Sequence, residues 1–139
     1  GKRIFKAPKL YFCDNGLVTA LLNINSLDTL EKSLHFGNIW ENFVLSEHLK
    51  EGFVAGKDIF YFRDTNGVEI DFVIEKESEV NLVEAKHSER PNPAKLSINR
   101  IAPLFKRHVN SVVACNLEET GVISLKDYSL YNPLYGSIP

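Results

Sequence analysis

The chain has 139 residues, of which 44% are hydrophobic and 24% charged, with a formal net charge of −2. This length suits one domain with a real core, and the charge argues against a protein that coats nucleic acid by bulk electrostatics, leaving only a local basic track. No apolar run approaches the ~18 residues of a membrane span and no signal peptide opens the chain, so a cytoplasmic protein with no membrane partner is expected.

Cys13 and Cys115 have no partners at zinc-ligand spacing and are expected to be reduced core thiols. The sequence contains no Met, which suggests a piece of a longer protein. Gly1–Lys9 is basic (Lys2, Arg3, Lys6, Lys9) and reads either as a nucleic-acid arm or as a linker from an upstream domain. We favour the linker. Leu10–Cys13 reads as a short apolar strand. Asp14 or Asn15 can cap a helix through Leu22, and Ser26 starts a second helix with Leu27, Leu30 and Leu34 on one face. Both look like packing elements.

Phe36 to Gly52 has the strongest helical pattern, with Phe36, Ile39, Trp40, Phe43 and Val44 as its apolar stripe and Gly52 as its stop. At about 100° per residue Glu47 falls inside that stripe, where a carboxylate is costly unless paired. Glu41 lies at its margin, either as a surface acid or as a site residue. His48 reads as a boundary residue.

Asp58–Arg63 is an aromatic-rich strand, followed by turn residues Asp64–Gly67. Gly67–His87 then reads as a hairpin. Val68, Ile70, Phe72 and Ile74 alternate with Glu69, Asp71, Val73 and Glu75; Val83 and Ala85 alternate with Leu82, Glu84 and Lys86. A four-residue loop at Lys76–Glu79 pairs Glu75 with Val80, Val73 with Leu82, Asp71 with Glu84, and Glu69 with Lys86; a two-residue turn slides this by two but keeps the faces. Opposed like charges destabilise a sheet, so Asp71 beside Glu84 calls for a neutralising divalent cation, helped by Lys86. The plainer alternative is an exposed charged face with Lys86 paired to Glu69.

His87–Pro93 reads as a polar loop. A helix is expected from about Ala94, with Ile98, Ile101, Leu104 and Phe105 inward, Lys95 and Lys106 outward, and Pro103 kinking or shortening it. Strands follow near Val109–Ala114 and Val122–Leu125. His108 is a loop residue, and the tail with Pro133 and Pro139 is weakly structured.

The order of a helix with Glu41, a strand with Asp71, then Glu84–Ala85–Lys86, then helix and strand resembles the PD-(D/E)xK superfamily. The lead-in Lys9–Leu17 (KLYFCDNGL), with Trp40–Val44 (WENFV) and Val68–Val73 (VEIDFV), is similar more specifically to the C-terminal domain of unknown function that follows an AAA-type ATPase module in bacteria and archaea. The resemblance spans about Lys9 to Asn132. It implies an α/β fold of restriction-endonuclease type, a central mixed sheet flanked by helices with a small helical N-terminal part. The implied organisation is a linker over 1–9, the nuclease-like domain over 10–132 and a tail over 133–139. It further implies that Asp71, Glu84, Glu41 and the Ala85 carbonyl bind Mg²⁺ or Mn²⁺ and that Lys86 positions or polarises the attacking water in phosphodiester hydrolysis of nucleic acid. Ile70 departs from the superfamily's nominal proline. A non-catalytic DNA- or protein-binding module on the same fold is the alternative. The upstream ATPase domain is the expected partner in the same chain, and oligomeric state is left open.

Overall fold

The computed structural model describes residues 8–118 and 121–139. The basic residues Lys2, Arg3 and Lys6 of the expected linker lie outside them. The fold is α/β, built on a six-stranded mixed sheet. Helices α1 (Asn15–Leu21), α2 (Leu27–Glu31) and α3 (Phe36–Lys50) come first. Strands β1 (Ile59–Arg63), β2 (Glu69–Glu75) and β3 (Val80–Lys86) follow, then a 3₁₀ turn at Pro93–Lys95, α4 (Ile98–Ile101) and a second 3₁₀ turn at Ala102–Leu104. Strands β4 (Val109–Cys115), β5 (Val122–Ser124) and β6 (Ser129–Tyr131) complete it.

The sheet order is β1-β2-β3-β4-β6-β5; β4 runs parallel to β3 and β6, and the other neighbours are antiparallel. The central strand β3 is covered on both faces, as its nearly unbroken burial from Val80 to Glu84 requires. On one face α3 brings Trp40, Val44 and Leu45 against Phe72, Ile74, Val83, Val112 and Tyr131. The Trp40 indole N–H donates to the Ala114 carbonyl at 3.1 Å, fixing α3 to β4. On the other face Leu96, Ile98 and Ile101 cover Ile70, Val73, Leu82 and Val113.

The hairpin forms with the four-residue loop. Phe72 pairs with Val83, Val73 with Leu82, Ile74 with Asn81 and Glu75 with Val80, and Lys76 and Glu79 exchange backbone hydrogen bonds across the loop. Beyond Phe72 the alternation departs from expectation. The register of β1 on β2 shifts between Phe60, opposite Val73, and Phe62, opposite Ile70. The extra residue on β2 is a bulge at Asp71–Phe72. It carries Ile70 to the opposite side of the sheet from Phe72 and Ile74, into the α4-side core.

Asp14 caps α1, and Ser26 with Thr29 forms a capping box on α2. Gly52, with φ of +97°, stops α3 as expected. Several other expectations are corrected. Leu10–Cys13 forms no strand, and the chain bends at Cys13. Cys13 is exposed, while burial pushes the Cys115 thiol up to about 11. Neither α1 nor α2 buries a residue. Pro103 shortens the fourth helix to one turn, and Leu104 faces solvent. The tail is anchored, since Tyr131 on the unforeseen strand β6 and Ile138 both belong to the α3-side core. Glu47 is only partly covered and pairs with Lys50, whereas His48 is fully buried.

Candidate functional site

The bulge re-aims Asp71 into the gap where β2 and β3 part. There the Oδ2 atom accepts the Ala85 backbone N–H at 3.0 Å, standing in for the interrupted ladder. The Oδ1 atom faces Lys9 Nζ at 3.1 Å. The same ammonium lies 2.9 Å from Glu41 Oε1 on α3 and 3.7 Å from Glu69 Oε2. One strand (β2, through Asp71 and Glu69), one helix and the N-terminal segment therefore converge on one cationic nitrogen.

Lys9 is delivered by a built contact. Asn42, buried on α3, accepts the Phe12 N–H at 2.7 Å and donates to the Phe12 carbonyl at 2.9 Å and to Asn15 Oδ1 at 2.8 Å. The segment thus runs extended along α3. Its alternation sends Lys9 and Tyr11 inward and leaves Leu10 and Phe12 exposed. The Tyr11 hydroxyl donates to Glu41 Oε1 at 2.6 Å while its ring packs 5.9 Å from Phe72. Burial, then the hydrogen bond to Glu41 and its charge, holds the phenol well above its ordinary pKa. Burial alone would lower the Lys9 pKa, but the Glu41 hydrogen bond and the charges of Asp71 and Glu41 outweigh it and leave the pKa raised. Lys9 is therefore a fixed cation at neutral pH.

Glu84, on the next strand, is 2% exposed. Its Oε2 accepts the Ile98 backbone N–H at 3.3 Å, and its Oε1 pairs with Lys86 Nζ at 2.8 Å. Val83 and Ala85 face α3, so Glu84 and Lys86 open toward α4. Glu69 pairs with Arg63 at 2.7 Å rather than with Lys86.

The sequence-derived residues thus fall into two linked pairs. Glu41 and Asp71 share Lys9; Glu84 and Lys86 hold each other; the Ala85 peptide joins the pairs through its N–H to Asp71. The expected like-charge confrontation of Asp71 with Glu84 does not arise, because Asp71 shares Lys9 with Glu41 and Glu84 pairs with Lys86. Lys9, Tyr11 and Asn42 were not read as site residues. The only signals for them were the motifs that carried the family resemblance, the lead-in for Lys9 and Tyr11 and Trp40–Val44 for Asn42.

Chemically the donor set suits a hard divalent ion, which takes carboxylate and carbonyl oxygens. The Lys9 ammonium between Glu41 and Asp71 marks a position where a cation is stabilised. As they stand, no three carboxylate, imidazole or thiolate groups among the described residues are gathered closely enough to ligate one metal ion.

Residues 36–128, which include α3 and the hairpin, match the family described as "Domain of unknown function (DUF4143)". The chain belongs to the DUF4143 family. It is 32% identical over 92 residues to the uncharacterized proteins Mb2031c of Mycobacterium bovis and Rv2008c of Mycobacterium tuberculosis, covering 66% of this chain and 20% of theirs. The match therefore spans about a fifth of the length of these relatives. No solved structure matches the chain. The Lys9 segment lies ahead of the family match, so the DUF4143 assignment rests on the helix and the sheet. Among the described residues no helix is long and apolar enough to cross a membrane.

Proposed function

We propose that this DUF4143 domain is a PD-(D/E)xK-type, restriction-endonuclease-like module that hydrolyses phosphodiester bonds of nucleic acid with Mg²⁺ or Mn²⁺, as the C-terminal, cytoplasmic part of an AAA-type ATPase. The observation that carries the reading is the convergence of Glu41 and Asp71 on one cationic position, at the open end of a hairpin whose second strand bears Glu84–Ala85–Lys86. Glu41 and Asp71 would hold the ion beside the Ala85 carbonyl; Glu84, which opens toward α4 and is held by Lys86 and the Ile98 N–H, would have to turn to join them. The ion, when bound, supplies a water of lowered pKa and neutralises charge on phosphate. Lys86 is partly exposed and anchored by Glu84, so its ammonium can orient a water or meet a phosphate oxygen.

A second reading, a non-catalytic DNA- or protein-binding module, draws on a different feature of the same residues. Every one of these acids already has an ammonium partner, Lys9 for Glu41 and Asp71 and Lys86 for Glu84, so the network is paired without a ligand. Cleavage of labelled single- and double-stranded DNA and RNA in millimolar Mn²⁺ separates the two. The hydrolytic reading expects cleavage by the wild type and a loss of roughly 100-fold or more in Lys86→Ala, the scale for removing one stabilising group, with Mn²⁺ affinity largely kept. Equal cleavage by both proteins would assign any activity to another site. Retention of nucleic acid without cleavage would support the binding module.

A further inference from the structure

We infer that Lys9 is the resident cation of the acidic site and competes with the divalent ion, so that Glu41 and Asp71 become ligands only when the lysine withdraws. This rests on the hydrolytic reading above and adds to it a control device within the chain.

The contacts at 2.9 Å and 3.1 Å occupy one oxygen on each carboxylate, and these are the oxygens directed at the shared position. An ammonium and a divalent ion cannot both sit between them, because two cations at contact repel while the acids can neutralise only one of them well. The placement of Lys9 is specified rather than incidental. Asn42 clamps the backbone at Phe12, and Tyr11 binds the same Glu41 oxygen, so the ammonium arrives on a segment held at two points. The side chain itself is a flexible four-carbon stem. A groove of about 410 Å³, lined by Lys9 with Val18, His35 and Asn38 among others, adjoins it. The ammonium can therefore swing aside while the clamp holds. Lys86 differs: its partner is Glu84, and it can stay where it is when Lys9 leaves. Of the two lysines, one blocks and one serves.

The test is calorimetric titration of the protein with Mn²⁺ for wild type, Lys9→Met and Arg63→Met. If the lysine-free arrangement is populated about one part in ten, removing Lys9 tightens apparent binding by about tenfold. Arg63 lies in the same cluster, paired to Glu69, but does not occupy the shared position; its replacement reports bulk charge alone and should change the affinity by much less. Equal tightening in both variants, or no change in Lys9→Met while the wild type binds, would overturn the competition and leave the hydrolytic reading standing. Failure of every folded variant to bind Mn²⁺ would overturn that reading and the competition with it. A second measurement uses the wild type alone. With lysines labelled at Cε, the Lys9 resonance should move toward that of a solvated lysine as Mg²⁺ is added, while that of exposed Lys32 stays. A Lys9 signal unmoved at saturating Mg²⁺ would also refute the competition.

Discussion

Asp71→Asn is the sharpest probe of the closed arrangement, because the like-charge pattern of the hairpin and the structure predict opposite signs. Like charges on opposed strands would make the metal-free mutant as stable as wild type or up to ~1 kcal/mol more stable. The structure gives Asp71 two partners instead, the Lys9 ammonium at 3.1 Å and the Ala85 N–H at 3.0 Å. The asparagine carbonyl can keep the Ala85 bond, but its NH₂ then faces the ammonium, donor against donor. A hydrogen bond to a charged group contributes about 1.5–3 kcal/mol. Lys9 keeps Glu41 and is partly solvated, so the expected loss is about 1–2 kcal/mol. Asp71→Ala also orphans the Ala85 N–H and should cost about a further 1–3 kcal/mol. Urea unfolding with chelator present measures both, with m unchanged if the denatured state is unaffected. Asp71→Asn at or above wild-type stability would refute the Lys9 contact and restore the repulsion argument.

Two further outcomes test the core. His48 is fully buried, its Nε2 meets the Tyr131 hydroxyl at 3.1 Å, and burial, with a smaller push from Lys76, lowers its pKa to about 4. Its folded pKa lies below the unfolded value of about 6.5, so its stabilising contribution is complete above about pH 6.5 and is lost as pH falls toward 4, about 3 kcal/mol in all. His48→Phe should flatten stability against pH across that window, and an unchanged slope would reject the burial argument. Asn81 is fully buried with no hydrogen-bond partner for either side-chain polar atom. Asn81→Leu should therefore raise stability by about 1 kcal/mol in the same urea titration, and a loss would show that the amide is satisfied in solution.

The hairpin was legible because its alternation fixes which faces meet, although two loop lengths left the register open until the fold chose the four-residue loop; α3 was legible because its stripe is long and ends at a glycine. The bulge was not. One extra residue in a strand leaves no compositional mark, and Ile70 is as apolar as its neighbours whichever face it joins. His48 looked like a boundary residue because the group that buries it, Tyr131, sits on a three-residue strand just ahead of Pro133. The paired acids could be placed from the strand pattern, but their cation could not. Lys9 and Asp71 are 62 residues apart, and no local period links them. Sequence therefore supplied the acids and the hairpin that presents them, while the fold supplied the lysine that closes the site.

On the hydrolytic reading, Glu41 and Asp71 frame a divalent-cation position that the Lys9 ammonium fills in the absence of the ion. Diffraction at the manganese edge from crystals of the protein soaked in Mn²⁺ addresses it directly. The account predicts an anomalous peak within roughly 2–2.5 Å of oxygens of both carboxylates, with Lys9 Nζ moved away from them. A saturated soak that leaves Lys9 bridging Glu41 and Asp71, with no peak between them, would contradict it.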